Sequence, residues 1–247
     1  MNPHRLTLSI SLFLIAGFLS AEICVSKTPS GGRLAVVVDE RLAALRQTPD
    51  LSGRLVRRLG RGRVVAIRGS RSVADGVVFY LVNVTSRTHG WIQREAVVSA
   101  TRAGDDKRLL DLIKASDSFD RIVRARIFLD NFARSPLRPQ ILLLLSDAAE
   151  EQAAKLSRDA ARRLRIERLN GTTAPERTSS APEFSYFLNY TGLDRYNRQR
   201  VGFVFDRATK RFHYDGAALR ELLRHYPNSP EAIDARKRLA QLAQLKN

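Results

Sequence analysis

The chain has 247 residues and a formal net charge of +17, because it contains 42 lysines and arginines but only 25 aspartates and glutamates. This excess excludes an acidic or charge-balanced protein, and the length suits one or two domains. A single cysteine excludes an internal disulfide framework and a zinc site built on cysteines. With 4 histidines the chain has few candidate side chains for metal binding or acid–base catalysis, so we expect no metal and no cofactor.

Residues 1–21 have the three parts of a secretory signal. A polar start with His4 and Arg5 leads into the apolar stretch 6–19, which ends at the small residues Ser20 and Ala21. A membrane span needs about 20 apolar residues, and this stretch falls short. We expect a signal peptide cut after Ala21 and an extracytoplasmic location, periplasmic or secreted. An uncleaved amphiphilic anchor and a misassigned start site are the alternatives.

Residues 22–33 are expected to form an N-terminal linker. Cys24 lies here, and an acylated cysteine would tether the chain to a membrane. Lipoprotein signals place small residues directly before the cysteine, whereas Glu22 and Ile23 stand at these positions. We therefore interpret Cys24 as an unmodified residue near the mature N-terminus.

Residues 34–99 read as a small β-module. Short apolar or alternating runs are separated by turn residues such as Pro49-Asp50 and Gly60-Arg61-Gly62. Short β-branched runs at this spacing predict a compact antiparallel sheet or barrel. The runs lie at 34–38, 55–59, 64–67, 77–84 and 91–92.

Within this module, four motifs follow one another in a fixed order. They are Ala-Leu-Arg-Gln-Thr-Pro at 44–49, Leu-Gly-Arg-Gly-Arg-Val-Val-Ala-Ile at 59–67, Val-Asn-Val at 82–84 and Gly-Trp-Ile at 90–92. In this order they resemble the bacterial Src homology 3 domain. The polar stretch 69–76 is longer than the family's usual hairpin. The resemblance implies a small SH3-like β-barrel over 34–99.

Domains of that family bind cell-wall peptides or short protein segments, so the resemblance implies a peptide ligand. Aromatic rings give a large contact area at a small entropy cost, which makes Tyr80 and Trp91 the candidate ligand-binding residues. In the alternative interpretation, Phe79 and Trp91 only fill the interior of a small barrel.

Beyond Gly104 the hydrophobic period becomes helical. Acidic residues at 105–106 suit the start of a first helix. A second helix places apolar residues at i, i+3, i+4 and i+7, and a third is expected over 136–170, ending at Gly171. The apolar positions of the second helix are Ala125, Phe128, Leu129 and Phe132.

Two Ser-Pro pairs, at 135–136 and 229–230, mark an internal repeat with an offset of 94 residues. Phe132 in the first copy corresponds to Tyr226 in the second, and each serine is expected to cap the helix that follows. Tyr-Pro-Asn-Ser-Pro at 226–230 resembles the turn of tetratricopeptide-like repeats in bacterial envelope proteins. The resemblance implies an α-helical, TPR-like domain over 105–247.

Residues 171–216 interrupt this helical part. A linker is expected at 171–180, and an aromatic-rich insert follows it. Phe203, Phe205, Phe212 and Tyr214 lie at period two around a polar turn and predict a β-hairpin. The insert is either a satellite core that holds it onto the helices or, beside Asp194, Arg195 and Asn197, a platform for glycans or peptides.

Positive charge is densest on the third predicted helix. Arg158, Arg162 and Arg165 are the candidate contacts to an anionic surface, and Arg163 and Arg168 lie beside them. In a protein outside the cytoplasm the available polyanions are lipid head groups and wall polymers, so nucleic acid is not expected as a partner. The alternative interpretation is a solvated helix face.

No sequence motif indicates a particular enzyme, and no catalytic residues are identified. A cysteine-dependent wall peptidase needs a cysteine near a histidine, whereas the only cysteine, Cys24, precedes both modules. The sequence thus favours a non-catalytic envelope adaptor that binds cell-wall peptides, peptidoglycan or an envelope protein. A wall hydrolase acting through carboxylates and an electrostatic binder of anionic lipid or polymer are the alternatives.

Overall fold

The computed structural model describes residues 31–74, 76–169 and 191–244. Within these ranges the chain forms an antiparallel seven-stranded sheet, then six α-helices, with a two-stranded hairpin between the fourth and fifth helices. The expected combination of β and α structure is therefore present. The expected signal peptide at 1–21 and linker at 171–180 lie outside the described residues and stay predictions, as does most of the linker at 22–33.

The strands of the sheet follow the alternating apolar runs of the sequence. All pairings are antiparallel, in the order β3-β2-β6-β5-β4-β1-β7. β3 and β7 are thus the two edges, and no pairing between described strands closes the sheet into a barrel. The strands are β1 Arg33–Val37, β2 Ala44–Arg46, β3 Leu55–Arg58, β4 Val64–Ser72, β5 Val78–Asn83, β6 His89–Gln93 and β7 Val97–Val98.

Gly90 explains how β6 can lie against β2, its neighbour on one side. A Cβ atom at Gly90 would lie only 2.6 Å from the carbonyl oxygen of Arg46, closer than non-bonded atoms approach. The glycine of the Gly-Trp-Ile motif therefore permits the contact in which Trp91 stands opposite Arg46.

The helices and the inserted hairpin begin close to the predicted positions. The first helix starts at Asp105, and the hairpin pairs Phe203 with Tyr214 and Phe205 with Phe212, as their alternation predicts. The helices are α1 Asp105–Lys114, α2 Ser118–Asn131, α3 Arg138–Leu169, α4 Asp194–Asn197, α5 Ala217–His225 and α6 Glu231–Gln244, and the hairpin strands are β8 Phe203–Asp206 and β9 Arg211–Tyr214.

The internal repeat has the same backbone hydrogen bonds in both copies. The amide of Phe132 bonds the carbonyl of residue 128 at 2.8 Å, and that of Tyr226 bonds the carbonyl of residue 222 at 2.7 Å. The serine amides then bond back to these aromatic residues, at 3.2 Å for Ser135 and 3.1 Å for Ser229. Each copy therefore turns from one helix into the next in the same way, α2 into α3 and α5 into α6.

The serine side chains of the two turns differ. Ser135 Oγ accepts the amide of Leu137 at 3.3 Å, in agreement with the expected cap. Ser229 Oγ is buried and has no hydrogen-bond partner among the described residues, so the expectation of a side-chain cap in the second copy is wrong. The serine carbonyls still act alike, since Ser135 accepts the amide of Arg138 at 3.4 Å and Ser229 accepts that of Ala232 at 3.0 Å.

The sheet and the helices share a hydrophobic core. Val36, Val38 and Val98 of the sheet region belong to the same buried cluster as Leu109 and Phe128 of the helices. A second cluster fills the sheet region itself. Because burial of apolar area is the main stabilising term, the cluster shared by sheet and helices couples the folding of both.

A buried carboxylate joins the end of the sheet to α1. Asp105 is 1% exposed, accepts the amide of Ser99 at 2.8 Å and lies 2.7 Å from a guanidinium nitrogen of Arg102 and 3.4 Å from Nε of Arg108. Arg108 also donates to the carbonyl of Glu95 at 2.9 Å and to that of residue 97. Asp105 thus orients the two arginines that bind the end of the sheet.

Two arginines complete the junction between sheet and α2. Arg124 is 6% exposed and donates from Nε to the carbonyl of Val38 at 3.2 Å, and burial lowers its pKa. Arg61 binds Asp120 through two hydrogen bonds of 2.6 and 3.1 Å, and this interaction lowers the pKa of the carboxyl. Such bidentate pairs fix orientation as well as distance.

Replacing Asp105 by Asn should destabilise the protein more than the same replacement at an exposed aspartate. The variant removes the negative charge that faces Arg102 and Arg108, and we expect the free energy of unfolding to fall by ~2–3 kcal/mol. Asp111→Asn, at an exposed position of the same helix, is the control and should change it by less than ~0.5 kcal/mol. Urea unfolding followed by circular dichroism measures both, and equal midpoints would contradict the role of Asp105.

Candidate functional site

Tyr80 and Trp91 lie on neighbouring strands but on opposite faces of the sheet. In the β5–β6 register Tyr80 stands opposite Ile92 and Trp91 opposite Leu81, and successive side chains of a strand alternate between faces. Tyr80 is 7% exposed and its hydroxyl accepts a hydrogen bond from Arg102 at 2.9 Å. The structure therefore does not bring the two rings into one site, and ligand contact by either ring stays a prediction.

Strand β3 exposes apolar side chains at the open edge of the sheet. All four of its residues are exposed, with Leu55 at 45% and Val56 at 43%. Leu51, in the loop before the strand, is 49% exposed. Among the described strands β3 pairs only with β2, so within this part of the chain its other side has backbone donors and acceptors free to pair with a further strand. The sequence predicts the strand but not its position at the edge.

The same strand carries unpaired positive charge. Arg54, Arg57 and Arg58 are exposed, and no hydrogen bond or ion pair of their side chains occurs within the described part of the chain. Arg46 on β2 donates from its guanidinium to the carbonyl of Gly53 at 2.7 Å, which holds the loop that leads into β3. We call residues 54–58 together with Leu51 the β3 edge.

The arginines predicted to contact an anionic surface lie exposed along the second half of α3. Arg162 forms an ion pair with Asp159 at 3.5 Å. Arg158 and Arg165 have no ion pair within the described ranges. The side chain of Arg168 lies outside the described residues. Their contact to an anionic surface stays a prediction.

The described part of the aromatic insert packs inward. Tyr196 is 1% exposed, and its ring meets those of Phe119 and Phe203 edge-on at 5.2 and 5.1 Å. The Tyr196 hydroxyl donates to Gln152 of α3 at 2.9 Å, and the Arg195 guanidinium lies 4.7 Å from the Tyr196 ring centroid. This part of the insert belongs to the core of the helices and is not a separate satellite core, whereas residues 184–190 lie outside the described ranges.

An acidic cluster surrounds Arg238 where α6 crosses α3. Arg238 bonds Asp147, lies 2.8 Å from a carboxylate oxygen of Asp234, and is 4.0 Å from Glu150. Burial raises the pKa of Glu150, and the charges of Asp147 and Asp234 add to this effect, while Arg238 opposes it. Folding therefore disfavours the ionised form of Glu150.

In residues 31–74, 76–169 and 191–244 no group of three or more histidine, cysteine or acidic side chains is arranged to hold a metal ion. No helix within the same ranges combines the length and hydrophobicity needed to cross a membrane. His89, His213 and His225 lie on β6, on β9 and at the end of α5, respectively.

No protein-family model, curated protein or solved structure matches this chain. A functional proposal therefore has to rest on the surfaces described above and on their charges.

Glu150→Gln should stabilise the protein at neutral pH but not in acid. Because the pKa of Glu150 is raised on folding, the folded protein holds this proton more tightly than the unfolded chain does. Ionisation then costs stability above the ordinary pKa of 4.5, and this cost disappears as the pH falls below that value. The variant removes the cost.

Thermal unfolding at about pH 7 and at about pH 4 measures the effect. We expect a higher melting temperature for Glu150→Gln than for the unmodified chain at the first pH and equal values at the second. Glu151→Gln, at the exposed neighbouring position, is the control and should show no such change with pH. A stabilisation that is the same at both pH values would contradict the assignment to Glu150 ionisation.

Proposed function

We propose that this protein is a non-catalytic adaptor of the bacterial cell envelope that binds wall peptides, or peptide segments of envelope proteins, along its β3 edge. The signal-like residues 1–21 support an extracytoplasmic location. The motifs at 44–49, 59–67 and 90–92 support an SH3-like origin for the sheet. The observation that carries the proposal is an open sheet edge with exposed apolar and unpaired positive side chains.

The two edges of the sheet differ in a way that favours β3 as the binding side. β7 lies against α1, and Arg108 of that helix donates to the carbonyl of Val97 in β7. Val98 is 1% exposed and belongs to the core shared with the helices. Proteins usually cover or charge their sheet edges because an open edge pairs with other chains. β3 is charged but uncovered, which suits recognition of a chosen partner.

The side chains of the β3 edge specify the chemistry of that partner. An extended peptide that pairs with an edge strand gains main-chain hydrogen bonds, and its side chains then decide specificity. Leu55 and Val56 offer apolar contacts, and Arg57 and Arg58 offer guanidinium groups that bind carboxylates. The peptides of bacterial cell walls are short and carry free carboxylates. A carboxylate-bearing extended peptide is therefore the ligand that fits this edge.

The helical part is proposed to be TPR-like and to act as the scaffold of the adaptor. The matching backbone hydrogen bonds in the turns of the α2–α3 and α5–α6 pairs support this proposal. Arg138 of α3 donates to the Tyr226 hydroxyl at 3.0 Å and lies 3.3 Å from a carboxylate oxygen of Glu221, so the two pairs contact each other through polar groups. A helical unit of this kind holds the sheet in a fixed orientation while the β3 edge faces outward.

Sedimentation with purified sacculi tests the proposal. The chain without residues 1–21 should pellet with sacculi at low and moderate salt, and Arg57→Glu/Arg58→Glu should weaken this association at least about fivefold. Both arginines are exposed, so we expect the variant to fold. Arg224→Glu/Lys237→Glu makes the same change of charge at exposed positions of α5 and α6 and should pellet like the unmodified chain.

Two results would overturn the proposal. The first is an unmodified chain that stays in the supernatant under both salt conditions. The second is a β3 variant that pellets as well as its control. Soluble muropeptides released during the incubation would instead support the alternative of a wall hydrolase.

A further inference from the structure

Two adjoining cavities lie between α3, the β8–β9 hairpin and α6. One has a volume of about 660 Å³ and the other of about 420 Å³, and His213, Tyr214 and Leu242 line both. Cavities of this size hold small organic molecules. We call the larger one the basic cavity and the smaller one the apolar cavity, for the side chains described next.

The basic cavity has an excess of cationic groups. Arg158 of α3, Lys210 of the hairpin turn, Arg211 of β9 and Arg238 of α6 line it, against the single carboxylate of Glu150. Arg238 is already engaged by its acidic neighbours. Arg158 and Arg211 are exposed and have no ion pair or side-chain hydrogen bond within the described ranges. Two guanidinium groups from facing elements are therefore left to bind an anion.

His213 provides a polar group in the wall between the cavities. Its Nε2 atom is buried and has no hydrogen-bond partner among the described residues. Buried polar atoms usually have a partner, and each exception requires an explanation. A ligand that spans both cavities passes His213 and can supply that hydrogen bond.

The apolar cavity is lined by the side chains of the hairpin and α6. Val204 is 41% exposed, and Phe205 and Leu242 lie beside it. Three charged residues, Asp206, Arg207 and Asp215, also line this cavity. The Asp206 carboxylate accepts the amide of Ala208 at 2.8 Å and the hydroxyl of Thr209, and the Asp215 carboxylate accepts the amide of Ala217 at 2.9 Å. The hydrogen bonds of Asp206 within the turn lower its pKa and orient its carboxylate toward Ala208 and Thr209.

We propose that the two cavities together bind one anionic amphiphile, with its phosphate or carboxylate head between Arg158 and Arg211 and its hydrocarbon body against Val204 and Leu242. Arginine matches both head groups because its planar N–H donors can bind two oxygens at once. The apolar neighbour adds affinity through burial of the hydrocarbon. A free inorganic anion would use only the basic cavity, and an uncharged amphiphile only the apolar one.

Isothermal titration calorimetry with four short probes tests this site. The probes are octyl phosphate, octanoate, inorganic phosphate and the uncharged octyl glucoside. We expect octyl phosphate or octanoate to bind at least about tenfold more tightly than inorganic phosphate or octyl glucoside. The stronger of the first two probes identifies the head group as phosphate or carboxylate.

Two variants assign the binding to the two cavities. Arg158→Glu/Arg211→Glu should weaken binding of the best probe at least about tenfold, because it reverses both free charges. Val204→Asn, which adds a polar group without a charge, should weaken binding of the same probe but leave that of inorganic phosphate unchanged. Arg71→Glu/Arg87→Glu makes the same change of charge at exposed positions of β4 and of the turn before β6, which line neither cavity, and should have no effect.

The proposal fails if none of the probes binds, or if octyl glucoside binds as tightly as the stronger of octyl phosphate and octanoate. It also fails if Arg158→Glu/Arg211→Glu retains the affinity of the unmodified chain. These outcomes are independent of sedimentation with sacculi, since the cavities and the β3 edge share no residue and are tested by different variants.

Discussion

The buried carboxylate of Asp105 is the constraint on which the arrangement of sheet and helices depends. Removing an ionised carboxylate from water costs several kcal/mol unless it is paired and hydrogen-bonded. Ser99, Arg102 and Arg108 satisfy Asp105 together, so all three must hold one geometry. Because Arg108 also binds carbonyls at the end of the sheet, the start of α1 is fixed against it, and α2 and α3 follow by packing.

Arginines that bind backbone carbonyls account for part of the protein's positive charge. Arg46, Arg124 and Arg126 donate to the carbonyls of Gly53, Val38 and Gln199, and these contacts join segments of the chain without a carboxylate. A guanidinium bound to a carbonyl is satisfied as a donor, but its charge is not neutralised. A fold that is cross-linked in this way accumulates net charge, so the total of +17 is by itself weak evidence for an anionic partner. Exposed arginines without any partner are stronger evidence.

Local patterns in the sequence predict the elements well, whereas the relations between elements are largely missed. The alternation of Phe203, Phe205, Phe212 and Tyr214 is sufficient for the hairpin because its register depends only on neighbouring residues. The 94-residue repeat likewise predicts two similar turns. By contrast, the faces that Tyr80 and Trp91 occupy depend on the β5–β6 register. The sequence of β5 or of β6 alone does not determine how the two strands pair.

Both proposed sites arise from such relations between elements, which explains why the residue pattern does not reveal them. The sequence predicts a strand at Leu55 and Val56, and this strand lies at the edge of the sheet because β2 takes the place between β3 and β6. Arg158 and Arg211 are separated by 53 positions, and they become neighbours of one cavity only because the hairpin returns to pack on α3. The Ser157 hydroxyl, which accepts the amide of Phe212 at 2.8 Å, fixes that return. The geometry of the basic cavity therefore depends on a hydrogen bond at its base, and the two free arginines project from elements that this bond holds together.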